Sequence, residues 1–106
     1  MRGPFPLNSS RVDILVNPGR PGVYEVSNTV DAPGYLARSD SDLSLALRRF
    51  VGKYKFFWFE YAISPKDAYI MECVAFHKCS KAKLENNLHP GPPDNEKLKC
   101  PVCGGS

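Results

Sequence analysis

The chain has 106 residues, 24% of them charged and 42% apolar, a balance that fits one globular domain with a modest core and argues against a disordered or fibrous protein. No apolar run approaches the roughly 20 residues of a membrane span, and the start lacks the apolar stretch of a secretory signal. The expected setting is therefore cytoplasmic, with no membrane partner, and in that reducing compartment the four cysteines read as thiols rather than as two disulfides. The formal net charge of +3 is weak evidence for a polyanionic partner. Arg48, Arg49, Lys53 and Lys55 cluster, as do Lys78, Lys81 and Lys83; such groups suit phosphates or, equally, the solvated faces of helices.

Residues 1–20 hold one short apolar run, Val12–Val16, between Pro, Gly, Asn and Ser stretches, which reads as an edge strand or an arm. Val23–Ser27 is β-branched and aromatic and reads as a strand. Asn28–Gly34 has the composition of a loop, and Tyr35–Arg38 resumes as a second, antiparallel strand. Ser39-Asp40-Ser41-Asp42 supplies N-caps for a helix over Leu43–Val51, with Leu43, Ala46, Leu47 and Phe50 as its apolar stripe and Gly52 as its end. Tyr54–Ile63 is apolar on both alternating faces, the pattern of a central strand covered on two sides rather than of an aromatic platform for single-stranded nucleic acid. Ser64 at the N-cap and Pro65 at the first helical position open a helix running to about Cys79. The remainder is rich in Pro and Gly and ends in Cys100-Pro101-Val102-Cys103-Gly104-Gly105. The order β-β-α-β-α predicts a small α+β domain: a three-stranded antiparallel sheet flanked by helices, with a zinc knuckle at its C-terminus.

Glu72 is the only charge between Ala68 and Phe76. A carboxylate in apolar surroundings costs several kcal/mol unless a cation or a set of hydrogen-bond donors satisfies it. Its helical neighbours Ala68, Ala75 and Phe76 put it on an apolar stripe, so it reads either as a site residue or as half of a structural ion pair with Arg38 or an arginine of the preceding helix.

Gly22-Val23-Tyr24, then Tyr35-Leu36-Ala37 at the matching spacing, then this element order and Glu72, together resemble the GIY-YIG nuclease domain over about Pro21 to His89. Ala37 stands where the family has glycine. The resemblance divides the chain into an N-terminal arm or edge strand over 1–20, a nuclease-like domain over 21–90 and a tail over 91–106. It implies hydrolysis of DNA phosphodiester bonds with Mg²⁺ or Mn²⁺: Tyr24 and Tyr35 near the attacking water, Glu72 as the metal ligand, Arg38 against phosphate, and Asn86, or its neighbour Asn87, as the downstream asparagine. Relatives carry a catalytic arginine on the first helix, and counting from Leu43 puts Ala46 there. Arg48 lies about 200° around the helix from that position. The alternative function is therefore an inactive nucleic-acid-binding or protein-interaction module on the same fold.

Cys100 and Cys103 form a half-site suited to structural Zn²⁺. The candidates to complete it are Cys73, His77, Cys79 and His89, with Cys73 inside an apolar run and so read as core. His89-Pro90 leads directly into the tail, which favours His89 as the third ligand. The resemblance favours His77 as the fourth, with Cys79 the alternative.

Overall fold

The structure is a computed structural model that describes residues 1–31 and 34–78. Asn86, Asn87, Cys79, His89, Cys100 and Cys103 lie outside the described residues, and with them the proposed zinc knuckle. The elements in chain order are β1 (Arg2–Pro6), α1 (Ser9–Leu15), β2 (Gly22–Ser27), β3 (Tyr35–Ser39), α2 (Leu43–Arg48), β4 (Phe56–Tyr61) and α3 (Pro65–Lys78). The strands form one antiparallel sheet in the order β1-β4-β2-β3. This is a small α+β fold, as expected, with four strands instead of three. No helix among the described residues is long and apolar enough to cross a membrane.

The fourth strand comes from the segment where the sequence pattern misleads. Val12–Val16 is neither strand nor arm: most of it belongs to α1, where Val12 and the C-cap residue Val16 are four apart and both fully buried, while Ile14 faces solvent. Asn8 starts that helix by accepting a hydrogen bond from the Arg11 amide at 2.8 Å. The edge strand is Arg2–Pro6, paired to β4 with a bulge between Arg2 and Phe5. An outermost strand tolerates Pro4 and Pro6 because its outward amides need no ladder partner.

Cross-strand pairing sorts the side chains to two faces. Tyr24 pairs with Ala37 and Phe59, and Val26 with Tyr35 and Phe57; these rows face α1 and α2 and form the main core with Leu43, Leu47 and Val12. Val23 and Leu36 lie on the opposite face, where Phe76 of α3 covers them. β4 is central, but its faces are unequal. Phe57 and Phe59 are fully buried, Phe56, Trp58 and Tyr61 are half-buried, and Glu60 is exposed. Complete covering on two sides, the sequence expectation, fails because α3 packs over β2 and β3 rather than over β4.

α2 ends at Arg48, and the chain then turns through Gly52, at φ 87°, so that Val51 bridges to Tyr54. α3 starts as predicted: Ser64 accepts from the Asp67 amide at 3.1 Å, and Asp67 accepts from the Ile63 amide at 3.0 Å.

Gly22 sits where β2, β4 and α2 converge. A Cβ at that position would lie 2.3 Å from the Glu60 carbonyl oxygen and 2.9 Å from Leu43 Cδ2. Gly22→Ala should therefore lower stability by about 2 kcal/mol through overpacking, read as a fall in the urea midpoint at unchanged slope.

Candidate active site

The turn from β3 into α2 is held by short polar side chains. Ser39 Oγ accepts from the Asp42 amide at 3.0 Å, and Asp42 accepts from the Leu45 amide at 3.2 Å and the Ser44 hydroxyl at 2.7 Å. The Ser44 bond in particular holds the Asp42 carboxyl below its usual range. Asp42 is the N-cap of α2, and Leu43 N donates to the Arg20 carbonyl at 2.8 Å, so the start of α2 is tied both to β3 and to the loop before β2.

Between this turn, α2 and edge strand β3 opens a cleft of about 390 Å³. Its walls include Tyr24 of β2, Tyr35 and Arg38 of β3, Asp40, Ala46 and Arg49. Phe50 packs against both tyrosine rings, with centroids 5.9 Å from Tyr24 and 5.2 Å from Tyr35. Tyr35 and Arg38 come from opposite faces of β3, which an edge strand permits because a cleft along it receives both sets of side chains.

Arg38 is the electrostatic centre. Its Nε donates to Asp40 Oδ1 at 2.8 Å and its Nη1 to Glu72 Oε1 at 2.9 Å, while its guanidinium lies 5.4 Å from the centroid of the buried Tyr69 ring. Burial works against its charge, yet the bonds to Asp40 and Glu72 outweigh that and hold its pKa above the usual value. The pair also answers how Glu72 sits on an apolar helix face: the arginine it needs is 34 positions earlier in the chain. Tyr24 is pushed well above the usual phenol range, first by burial and then by Tyr35 and Glu72, with Arg49 opposing. At neutral pH it is therefore a protonated hydroxyl, not a ready-made phenolate.

Of the residues singled out in the sequence, Tyr24, Tyr35 and Arg38 line one cleft, and Glu72 is joined to it through Arg38. His77 is on α3 with its ring edge-on to Phe76 at 5.5 Å, and Cys73 is fully buried. Among the described residues no cluster of three His, Cys, Asp or Glu side chains stands ready for a metal. Ala46 does line the cleft. So does Arg49, which sequence reasoning missed; being three positions later it lies only about 60° from Ala46 around the helix, on the same face, whereas Arg48 points to α1 and pairs with Asp13. The spacing of neighbours on a helix face was the signal that could have found it. No known family, characterised protein or solved structure matches this chain.

Two measurements follow from this geometry. Unfolded tyrosine ionises near pH ~10, whereas folded Tyr24 keeps its proton above that point. The stability it contributes is thus complete below pH ~10 and is lost as pH rises further, because the folded state binds more protons than the unfolded one. Tyr24→Phe should flatten the alkaline fall in urea stability. Separately, a double-mutant cycle on Arg38→Gln and Glu72→Gln should give a coupling of about 2 kcal/mol, between the values for exposed and fully buried pairs, since both side chains are largely sheltered.

Proposed function

We propose that this cleft binds a nucleic-acid phosphodiester and hydrolyses it, in keeping with the sequence resemblance to the GIY-YIG nucleases. The observation that carries the reading is the meeting of Tyr24, Tyr35 and Arg38 in one cleft, with Glu72 held 2.9 Å behind Arg38. These residues come from three separate elements, β2, β3 and α3, and the fold brings them to one place.

Glu72 offers one hard carboxylate, with Arg38 already on its Oε1. A cation such as Mg²⁺ would have to share this carboxylate with Arg38 and complete its shell with waters and phosphate oxygens of the substrate, since no cluster of protein ligands is present among the described residues. Bound there, the cation would stabilise charge on the departing oxygen. In the reaction the water oxygen bonds to phosphorus while the P–O bond to the leaving nucleoside breaks. The electron pair goes to the departing oxygen, and the water proton passes to solvent. The hydroxyls of Tyr24 and Tyr35 would orient the water and the non-bridging oxygens. Arg38, held by Asp40 and Glu72, would add positive charge to the wall of the cleft without leaving them.

A second reading, binding of nucleic acid without cleavage, is favoured by Ala46 and by the closed Arg38–Glu72 pair. Supercoiled plasmid with Mg²⁺ or Mn²⁺ separates the two. The nuclease reading expects nicking by the native chain and its loss in Glu72→Gln. Salt-dependent DNA retention without nicking, joined to nicking by Ala46→Arg, would establish the binding module. Absence of both cutting and DNA retention in all variants would overturn both readings.

A further inference from the structure

Two arginines line this cleft, Arg38 and Arg49, and a third, Arg48, is turned away from it. Arg38 donates to Asp40 and Glu72, and Arg48 pairs with Asp13 on α1. Arg49 lines the cleft, is exposed, and makes no ion pair among the described residues. It is the C-cap residue of α2, where the unsatisfied carbonyls at a helix end favour a positive side chain. The small side chain of Ala46, on the same face one turn earlier, leaves the wall open between Arg49 and the tyrosines. Arg49 is also close enough to Tyr24 to act on its ionisation.

We infer that Arg49 is the guanidinium that meets the substrate phosphate, acting from one turn further along α2 than Ala46. The inference rests on the phosphodiester reading above and deepens it: it names the residue that supplies charge to the phosphoryl oxygens and says that the function of an arginine at position 46 has moved rather than vanished. Planar guanidinium donors match two phosphate oxygens at once, and an arginine side chain has the reach to cover one helical turn. Arg38 has its Nε and Nη1 engaged by two carboxylates whose charges offset its own, so it has less charge to offer a phosphate than Arg49.

The test compares the native chain with Arg49→Ala, Arg49→Lys, Arg48→Ala and the relocation pair Ala46→Arg/Arg49→Ala. Two readouts are used: plasmid nicking with Mn²⁺, and retention of a short labelled DNA duplex in EDTA over a range of salt. All four are surface or half-exposed changes, and urea midpoints near the native value verify folding. Arg49→Ala should lower the nicking rate by ~100-fold, in kcat more than in KM. Arg49→Lys should recover only part of this, and the relocation pair most of it, while Arg48→Ala stays near native. The salt slope of duplex retention should drop by about one in Arg49→Ala and stay native in Arg48→Ala. Native-like nicking and slope in Arg49→Ala, with Glu72→Gln still abolishing nicking, would overturn the role of Arg49 and leave the nuclease reading standing. Failure of the native chain both to nick and to retain DNA would remove the reading on which it rests. If the native chain binds without nicking, the slope alone decides: a loss in Arg49→Ala supports the phosphate contact, and an unchanged slope overturns it.

Discussion

Strand β2 is hydrogen-bonded along both edges, to β3 on one side and to β4 on the other, and it is covered on both faces. Every residue of it must then satisfy two strand ladders and a packed layer at once. Its side chains divide cleanly: Tyr24 and Val26 toward α1 and α2, Val23 toward α3. Even Glu25, on this strand, is affected, since burial raises its pKa against the lowering effect of a hydrogen bond from the Gly34 backbone. Gly22 admits the Glu60 carbonyl and Leu43 where any side chain would collide, so β4 and α2 close over the start of the strand. The position of Tyr24 in the cleft follows from this register. A slip of one residue would carry it to the face of α3 and bring Val23 into the cleft instead.

The polar site is built along one of the two outer strands of the sheet, where such a slip of face matters less. β3 is an outer strand, so its alternate residues Tyr35 and Arg38 reach a shared space from opposite faces. From there Arg38 reaches back to α3 and neutralises Glu72, while its other edge meets Asp40 at the turn into α2. Removing either carboxylate leaves a sheltered guanidinium short of a partner; removing the arginine leaves a sheltered carboxylate, which is the costlier loss in a setting with little water. The triad thus fastens α3 to β3 and to the turn that follows it, and Arg38 and Asp40 also line the cleft. Structure and chemistry draw on one set of groups, so substitutions here act on both.

Much of this was legible in the chain. β2, β3 and α3 fall close to their predicted places because their signals are local: a β-branched run, a loop of Asn, Asp and Gly, and Ser64-Pro65 at a helix start. The ion pair of Glu72 with Arg38 was one of two partners that the apolar run around Glu72 left open, and distance alone decides it. Val12–Val16 was misread because two valines and an isoleucine suit a strand, while the deciding fact, the Asn8 cap, lies four residues before the run. Arg2–Pro6 gave no strand signal, since its two prolines suit only an edge whose partner, β4, is more than fifty residues away in sequence. The two-sided apolar pattern of β4 was real, but nothing local says that α3 covers the other pair of strands. Arg49 was within reach of the sequence, and it was missed because only the angle to Arg48 was followed.

The proposed exchange of position 46 for position 49 has a physical cost that shapes any activity the cleft has. An arginine rooted beside the tyrosines would be held by packing and would meet the phosphate ready-oriented. Arg49 is exposed at the end of a six-residue helix, with no carboxylate among the described residues to fix it. Ordering such a side chain on substrate costs about 1–2 kcal/mol of rotamer entropy, and its charge is screened by water until the cleft closes around a ligand. The same freedom lets it follow a phosphate without disturbing Arg38, whose bonds to Asp40 and Glu72 hold β3, the turn after it and α3 together. A fixed cation would favour speed; a reaching one preserves the fold and accepts a slower reaction or a weaker grip. On this argument the cleft is built first for stability, with Arg38 as its fastening, and the proposed phosphate contact falls to Arg49, the cleft arginine that makes no ion pair among the described residues.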